Sequence, residues 1–111
     1  MDNREEILIT AKNYMERLIH GINSLSERFI NGEKDVMKDL LDVVEGIQYI
    51  SKVLILIEIK ENIIESLNSY LNEIINAIEN EDYMLIGDLM KYELIPVLLE
   101  VKSRIGLEVN N

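Results

Sequence analysis

Apolar residues recur every three or four positions through almost the whole chain, the period of helices with one buried face. Ile7, Ala11, Tyr14, Leu18, Ile22, Leu25 and Phe29 make a first stripe, with Leu8, Met15 and Ile19 beside it. Asn3 with Glu6 has the form of a capping box and Asn31-Gly32 is a stop signal, so the first helix is predicted over about 4–30. Val36, Leu40, Val43, Ile47, Ile50, Leu54 and Ile57 step by four and three alternately, the seam of a second helix over about 34–57. A third stripe, Ile63, Leu67, Tyr70, Ile74, Ala77 and Ile78, sets a helix over about 62–79. The fourth is predicted over about 82–105, with Pro96 inside it and Ile105-Gly106 as its end.

The boundary between the second and third helices carries no Gly or Pro, since neither occurs from Ile47 to Ile86. One continuous helix over 34–79, roughly 70 Å long and buried in a dimer, is therefore the competing layout. Stripe phase argues against it. At ~100° per residue the apolar face of 63–78 points about half a turn away from that of 36–57. Val53-Leu54-Ile55-Leu56-Ile57 is apolar all round and marks the change of side, and Asn62 with Glu65 offers a fresh cap. A short turn near Glu58–Glu61 follows. Four amphipathic helices with short connections predict an all-α, antiparallel up-and-down four-helix bundle, one domain over 1–111.

The fourth helix is apolar on two sides. Tyr83, Ile86, Met90, Leu94, Val97, Leu98, Val101 and Ile105 form an arc suited to a core. Met84, Leu85, Leu89, Tyr92, Ile95 and Leu99 form a second group elsewhere on the wheel. Either Pro96 kinks the helix so that one core takes both groups, or the second group meets another chain. That second group is the expected partner-binding surface.

Composition narrows the function classes. Among 111 residues, 48% are hydrophobic, and 11 Lys and Arg face 21 Asp and Glu for a net charge of −10. Nucleic acid and anionic membrane both need clustered cations, so neither is expected as a partner. There is no Cys, and His20 is the single histidine, so no cofactor, metal or thiol chemistry is expected. Glu16 and His20 lie four apart, whereas carboxylate-bridged di-iron bundles space Glu and His by three on two helices. They read as a surface ion pair. The first residues lack a basic leader and the longest apolar run is far below the ~20 residues a spanning helix needs, so a cytoplasmic protein is expected. No glycine-rich phosphate cradle and no Ser/His/Asp set is present.

Leu85-Ile86-Gly87-Asp88-Leu89-Met90-Lys91-Tyr92 is similar to the Gly-Asp-Leu-Leu helix of all-α nucleotide pyrophosphohydrolases of the MazG type. In those enzymes a Glu-x-x-Glu pair and a Glu-x-x-Asp pair hold Mg²⁺ against a phosphate chain. Asp88 matches the last Asp, but Leu85 stands where the Glu belongs. Glu58 and Glu61 have the spacing of the first pair yet lie at the predicted turn, and Glu79 and Asp82 straddle the next. A Mg²⁺-dependent hydrolase centred on Asp88 is what this resemblance implies. The run from Glu79 to Leu89, continuing Tyr92 to Leu98, resembles an uncharacterised family of short, acidic, helical proteins from anaerobic Gram-positive bacteria, mainly over 62–105. No activity comes with it. In size, acidity and helical layout the chain is also similar to flagellar export chaperones, which implies binding of a client's amphipathic helix. The reading favoured by the residues is a non-enzymatic protein-interaction module, self-associating through its fourth helix.

Overall fold

A computed structural model of the chain describes residues 3–33, 35–59 and 61–110, with the backbone alone at Glu61 and Asn110. Helix α1 is Asn3–Ile30, α2 is Met37–Leu56 and α3 is Glu61–Glu79. A fourth rod over residues 83–110 is built of α4 (Tyr83–Asp88), a π-helical turn (Leu89–Leu94) and α5 (Ile95–Asn110). The protein is therefore an all-α four-helix bundle, and no strand occurs among the described residues. The continuous 34–79 helix does not form.

Each of the three turns closes a helix in the same way. After α1, the Gly32 N–H donates to the Phe29 carbonyl and the Glu33 N–H to the Arg28 carbonyl, both at 3.0 Å. This is a Schellman cap, with Gly32 in the left-handed region at φ 84°. The same pair of bonds ends α2 (Glu58 to Ile55, Ile59 to Leu54) and α3 (Glu81 to Ile78, Asp82 to Ala77). There the left-handed residue is a glutamate, Glu58 at φ 57° and Glu81 at φ 54°. Glycine is the usual residue at positive φ because a side chain there is strained, and with glutamate in its place these stops carry no glycine signal in the sequence. Asn62 is helical rather than a cap, because α3 starts one residue earlier; the residue before it lies outside the described residues. Asn3 is likewise already helical, so the expected cap pair falls within α1.

Packing follows the predicted stripes with one rotation. All seven seam positions of α2, from Val36 to Ile57, are buried. In α1 the buried stripe is Leu8, Ala11, Met15, Leu18, Ile22, Leu25 and Phe29, while Ile7 and Tyr14 sit half-buried on its flank. In α3 Leu71 is buried, and Tyr70 and Ile78 are half-buried beside it. Helix α1 packs against α2 on one side and the rod on the other, α3 packs against α2 and the rod, and among the described residues the backbones of the diagonal pairs do not approach closely. Ion pairs Arg4–Glu108 (2.8 Å), Glu16–Lys102 (3.6 Å) and Glu27–Lys91 (2.6 Å) step in opposite directions along α1 and the rod, marking them as antiparallel. These are solvent-exposed pairs worth at most about 1 kcal/mol each, so they describe the register more than they hold it. Glu16 is thus engaged by Lys102, and no ion pair joins it to His20.

The fourth rod departs from the expected helix at both its middle and its end. Its buried positions are Ile86, Met90, Leu94, Leu98, Val101 and Ile105, all without exposed surface, at steps of four, four, four, three and four. At ~100° per residue that spacing spreads the row over an arc of about 120° on a continuous α-helix, broader than a narrow seam. The π turn absorbs an extra residue through a wider, i to i−5 pattern, in which the Ile95 N–H donates to the Met90 carbonyl. Pro96 then falls in the first turn of α5, where a missing N–H is tolerated. Beyond the predicted stop at 105, Gly106 stays helical and the rod runs to Asn110, with Glu108 held by Arg4 and Val109 packed against the core.

Candidate partner-binding surface

The rod is fixed at its start by three local features. Asp82 caps α4, its carboxylate accepting from the Leu85 N–H at 3.2 Å. The Tyr83 ring stacks on Phe29 of α1, with 6.4 Å between centroids. Gly87 lies against the backbone of α1, where an added Cβ would come within 2.9 Å of the Ser26 carbonyl oxygen. Gly87 of the Gly-Asp-Leu-Met run therefore serves close helix packing.

The six residues expected to bind a partner divide between two environments. Met84 (60% exposed), Leu85 (41%), Tyr92 (64%) and Leu99 (50%) reach solvent, whereas Leu89 and Ile95 are half-buried and packed against the core. Leu85 and Leu89 line a shallow hollow of about 270 Å³ against α3, floored by Ala77 and rimmed by Asn76 and Asn80. A second hollow of about 300 Å³ joins Leu85 and Leu89 to Asp88, Tyr92 and Glu93. Ile95 and Leu99 lie past the π turn.

That turn is tied to both of its neighbours. Lys91 donates to Glu27 of α1 at 2.6 Å, and this bond raises the lysine above its ordinary value. The Lys91 ammonium also lies 5.6 Å from the centre of the Tyr92 ring. On the other side, Tyr70 of α3 interacts with Glu93, and hydrogen bonding of its hydroxyl to that carboxylate, then burial and the glutamate's charge, hold the phenol above the usual 10.0. The neutral phenol is the form that donates. Its contribution to stability is complete below the ordinary tyrosine value and is lost as pH rises through the higher folded value. Absorbance titration is expected to show a late-ionising tyrosine, moved back toward the ordinary value by Glu93→Gln. A titration that Glu93→Gln leaves unchanged would remove the link. Neither tie is legible in the sequence, because each joins residues far apart in the chain.

The hydrolase resemblance depends on gathered carboxylates. Among the described residues no group of three or more His, Asp or Glu is placed to hold a metal ion. Asp88 is half-buried beside Leu85 and Leu89, Glu58 occupies the α2–α3 turn, and Asp82 is taken up as a helix cap. The side chain of Glu61 lies outside the described residues. No described helix is long and apolar enough to cross a membrane.

A family model matches residues 6–104. The chain belongs to that family, described as Domain of unknown function (DUF8042). The match takes in all four rods, beyond the 62–105 stretch that carried the resemblance in the sequence, and it agrees with membership of an uncharacterised family. No curated protein and no solved structure matches the chain.

Proposed function

We propose that this protein is a cytoplasmic, non-catalytic interaction module that pairs with a copy of itself through the outward side of the fourth rod. The observation that carries the reading is the exposure of Met84, Tyr92, Leu99 and Leu85 on a single element whose opposite face is already committed to the core. A bundle helix needs one apolar face, and a second one stays wet unless a partner covers it. Met and Tyr suit such a surface, the one adaptable and the other apolar with a polar tip. Covering ~400 Å² of apolar surface favours association by about 10 kcal/mol before the entropy of association is subtracted. The hollows beside Leu85 and Leu89 support a second reading, an adaptor that seats the amphipathic helix of a client, as the likeness to export chaperones implies.

Light scattering separates the two. Self-association gives a mass above the 12.9 kDa monomer. Tyr92→Asp, at a side chain already mostly in water, is expected to weaken that association about a hundredfold while circular dichroism stays unchanged. A wild-type protein that remains monomeric at high concentration ends the self-pairing reading.

A further inference from the structure

Helix α1 has two seams, and they are built differently. Against the rod, its charges are taken up in ion pairs across the seam. Against α2, one ion pair crosses among the described residues, Arg28–Asp39 at 3.0 Å beside the first hollow, and the rest of the seam opens into surface hollows of about 430 and 530 Å³ on either side of the edge-to-face pair of Tyr14 and Tyr49. Glu6 of α1 and Lys52 of α2 rim one hollow, and Arg17 of α1 and Asp42 of α2 rim the other. None of these four makes an ion pair among the described residues. At each level the two walls carry opposite charge.

Gly21 is the second, independent observation. It sits in the middle of α1, where glycine weakens a helix relative to alanine. Gly46 and Gly87 are glycines because neighbouring atoms fill the space a Cβ would take, but at the helical glycines Gly21 and Gly106 a Cβ meets nothing within 4 Å, and of these two Gly21 faces α2. It lines the 430 Å³ hollow with Ser24 beside it, leaving a notch halfway along the seam. Packing inside one chain gives no reason for a glycine at either place, and at Gly21, inside the hollow, close approach by another backbone would give one.

We propose that the α1/α2 face docks a second copy of this chain, the two copies related by a two-fold axis running along the seam. Such an axis sets α1 of one copy against α2 of the other at the same height. Glu6 then faces the Lys52 position of the other copy, and Arg17 comes within a turn of its Asp42 position. A two-fold across the helices would set α1 on α1 and lose this match. The molecule is 45 Å long and 23 by 19 Å across. A two-helix face of that size offers roughly 800 Å², which is one partner's share of a standard interface. This face is separate from the outward side of the rod and does not depend on it.

The test is mass measurement on variants that leave the fold alone. Gly21→Gln puts a good helix former into open space, so its melting temperature is expected to hold or rise while association through this face weakens about a hundredfold. With both faces working, the wild type assembles beyond a dimer, and Gly21→Gln and Tyr92→Asp each reduce it to a dimer. If only the rod reading fails, the wild type is a dimer, Tyr92→Asp changes nothing and Gly21→Gln gives monomers. Reversed charges then test the axis. Glu6→Lys and Lys52→Glu chains each place like charges together and associate about tenfold more weakly. Mixing the two restores a mixed pair, in which each lysine meets a glutamate. A mass unaffected by Gly21→Gln, or a mixture no tighter than its components, overturns the proposal.

Discussion

A methyl group at position 87 is expected to lower the stability of the bundle by about 3 kcal/mol, although Gly→Ala inside an exposed helix ordinarily raises it. The reason is what lies opposite. The Cβ of Gly87→Ala would sit 2.8 Å from Cγ1 of Ile30, 2.9 Å from the Ser26 carbonyl oxygen and 3.1 Å from the Ile30 nitrogen. Two of these three are backbone atoms in the last turns of α1, held by that helix's own hydrogen bonds. They cannot swing aside as a side chain can, so the rod must move off α1. That movement opens the contacts around Ile86 and Met90, which have no exposed surface. For a chain of this size the loss corresponds to a fall in melting temperature of about 15 °C. Gly46 makes the useful contrast, because the atoms crowding it belong to the side chains of Tyr14 and Leu18. The Tyr14 ring can turn outward, so Gly46→Ala is expected to cost less than Gly87→Ala. Thermal unfolding of both variants decides the matter, and equal losses would mean that α1 yields as easily as a tyrosine ring.

The same glycine shows how far the sequence could be read. Gly87 stands out in a run similar to a metal-binding helix, and only the position of Ser26 and Ile30 shows that its role is in packing. The layout was more legible. The α2 seam is predicted at every position because four-and-three spacing admits one phase, and the break between α2 and α3 is found by phase despite lacking a glycine. What hid the break is chemical. Glu58 and Glu81 hold left-handed backbone that glycine usually supplies, so composition gives no warning. In α1, two apolar stripes overlap, and the choice between Ile7 with Tyr14 and Leu8 with Met15 is made by residues of other helices. Tyr14 leans over Gly46, a partner more than thirty residues away.

The candidate surface was partly legible, for a reason that lies in helix geometry. Met84 and Leu85 precede the π turn, and their exposure agrees with a wheel drawn at ~100° per residue. Residues beyond the turn are displaced on such a wheel by about one residue's rotation, and Ile95, expected outside, is half-buried against the core. The signal that could have found the turn was present. Ile86, Met90, Leu94 and Leu98 are spaced by fours, a row that drifts by about 40° at each step on an α-helix.

Two single-residue deletions in the same rod are expected to have opposite outcomes. Removing Tyr92 takes out the extra residue and leaves buried positions alternating by four and three, the regular α pattern. It also draws Pro96 into a continuous helix, where proline costs about 3 kcal/mol. Combined with Pro96→Ala, the Tyr92 deletion is therefore expected to fold with a melting temperature within a few degrees of the parent. Removing Ser103 from α5 has the opposite outcome. It brings Gly106 into the position filled by Ile105, which is fully buried, and no wider turn lies downstream to recover the phase. Loss of that side chain from the core costs about 4 kcal/mol, and Pro96→Ala does not restore it. Urea unfolding of the two deletions, each with and without Pro96→Ala, measures all four quantities. If the repaired Tyr92 deletion unfolds as readily as the Ser103 deletion, the π turn is not what keeps the two halves of the rod in register.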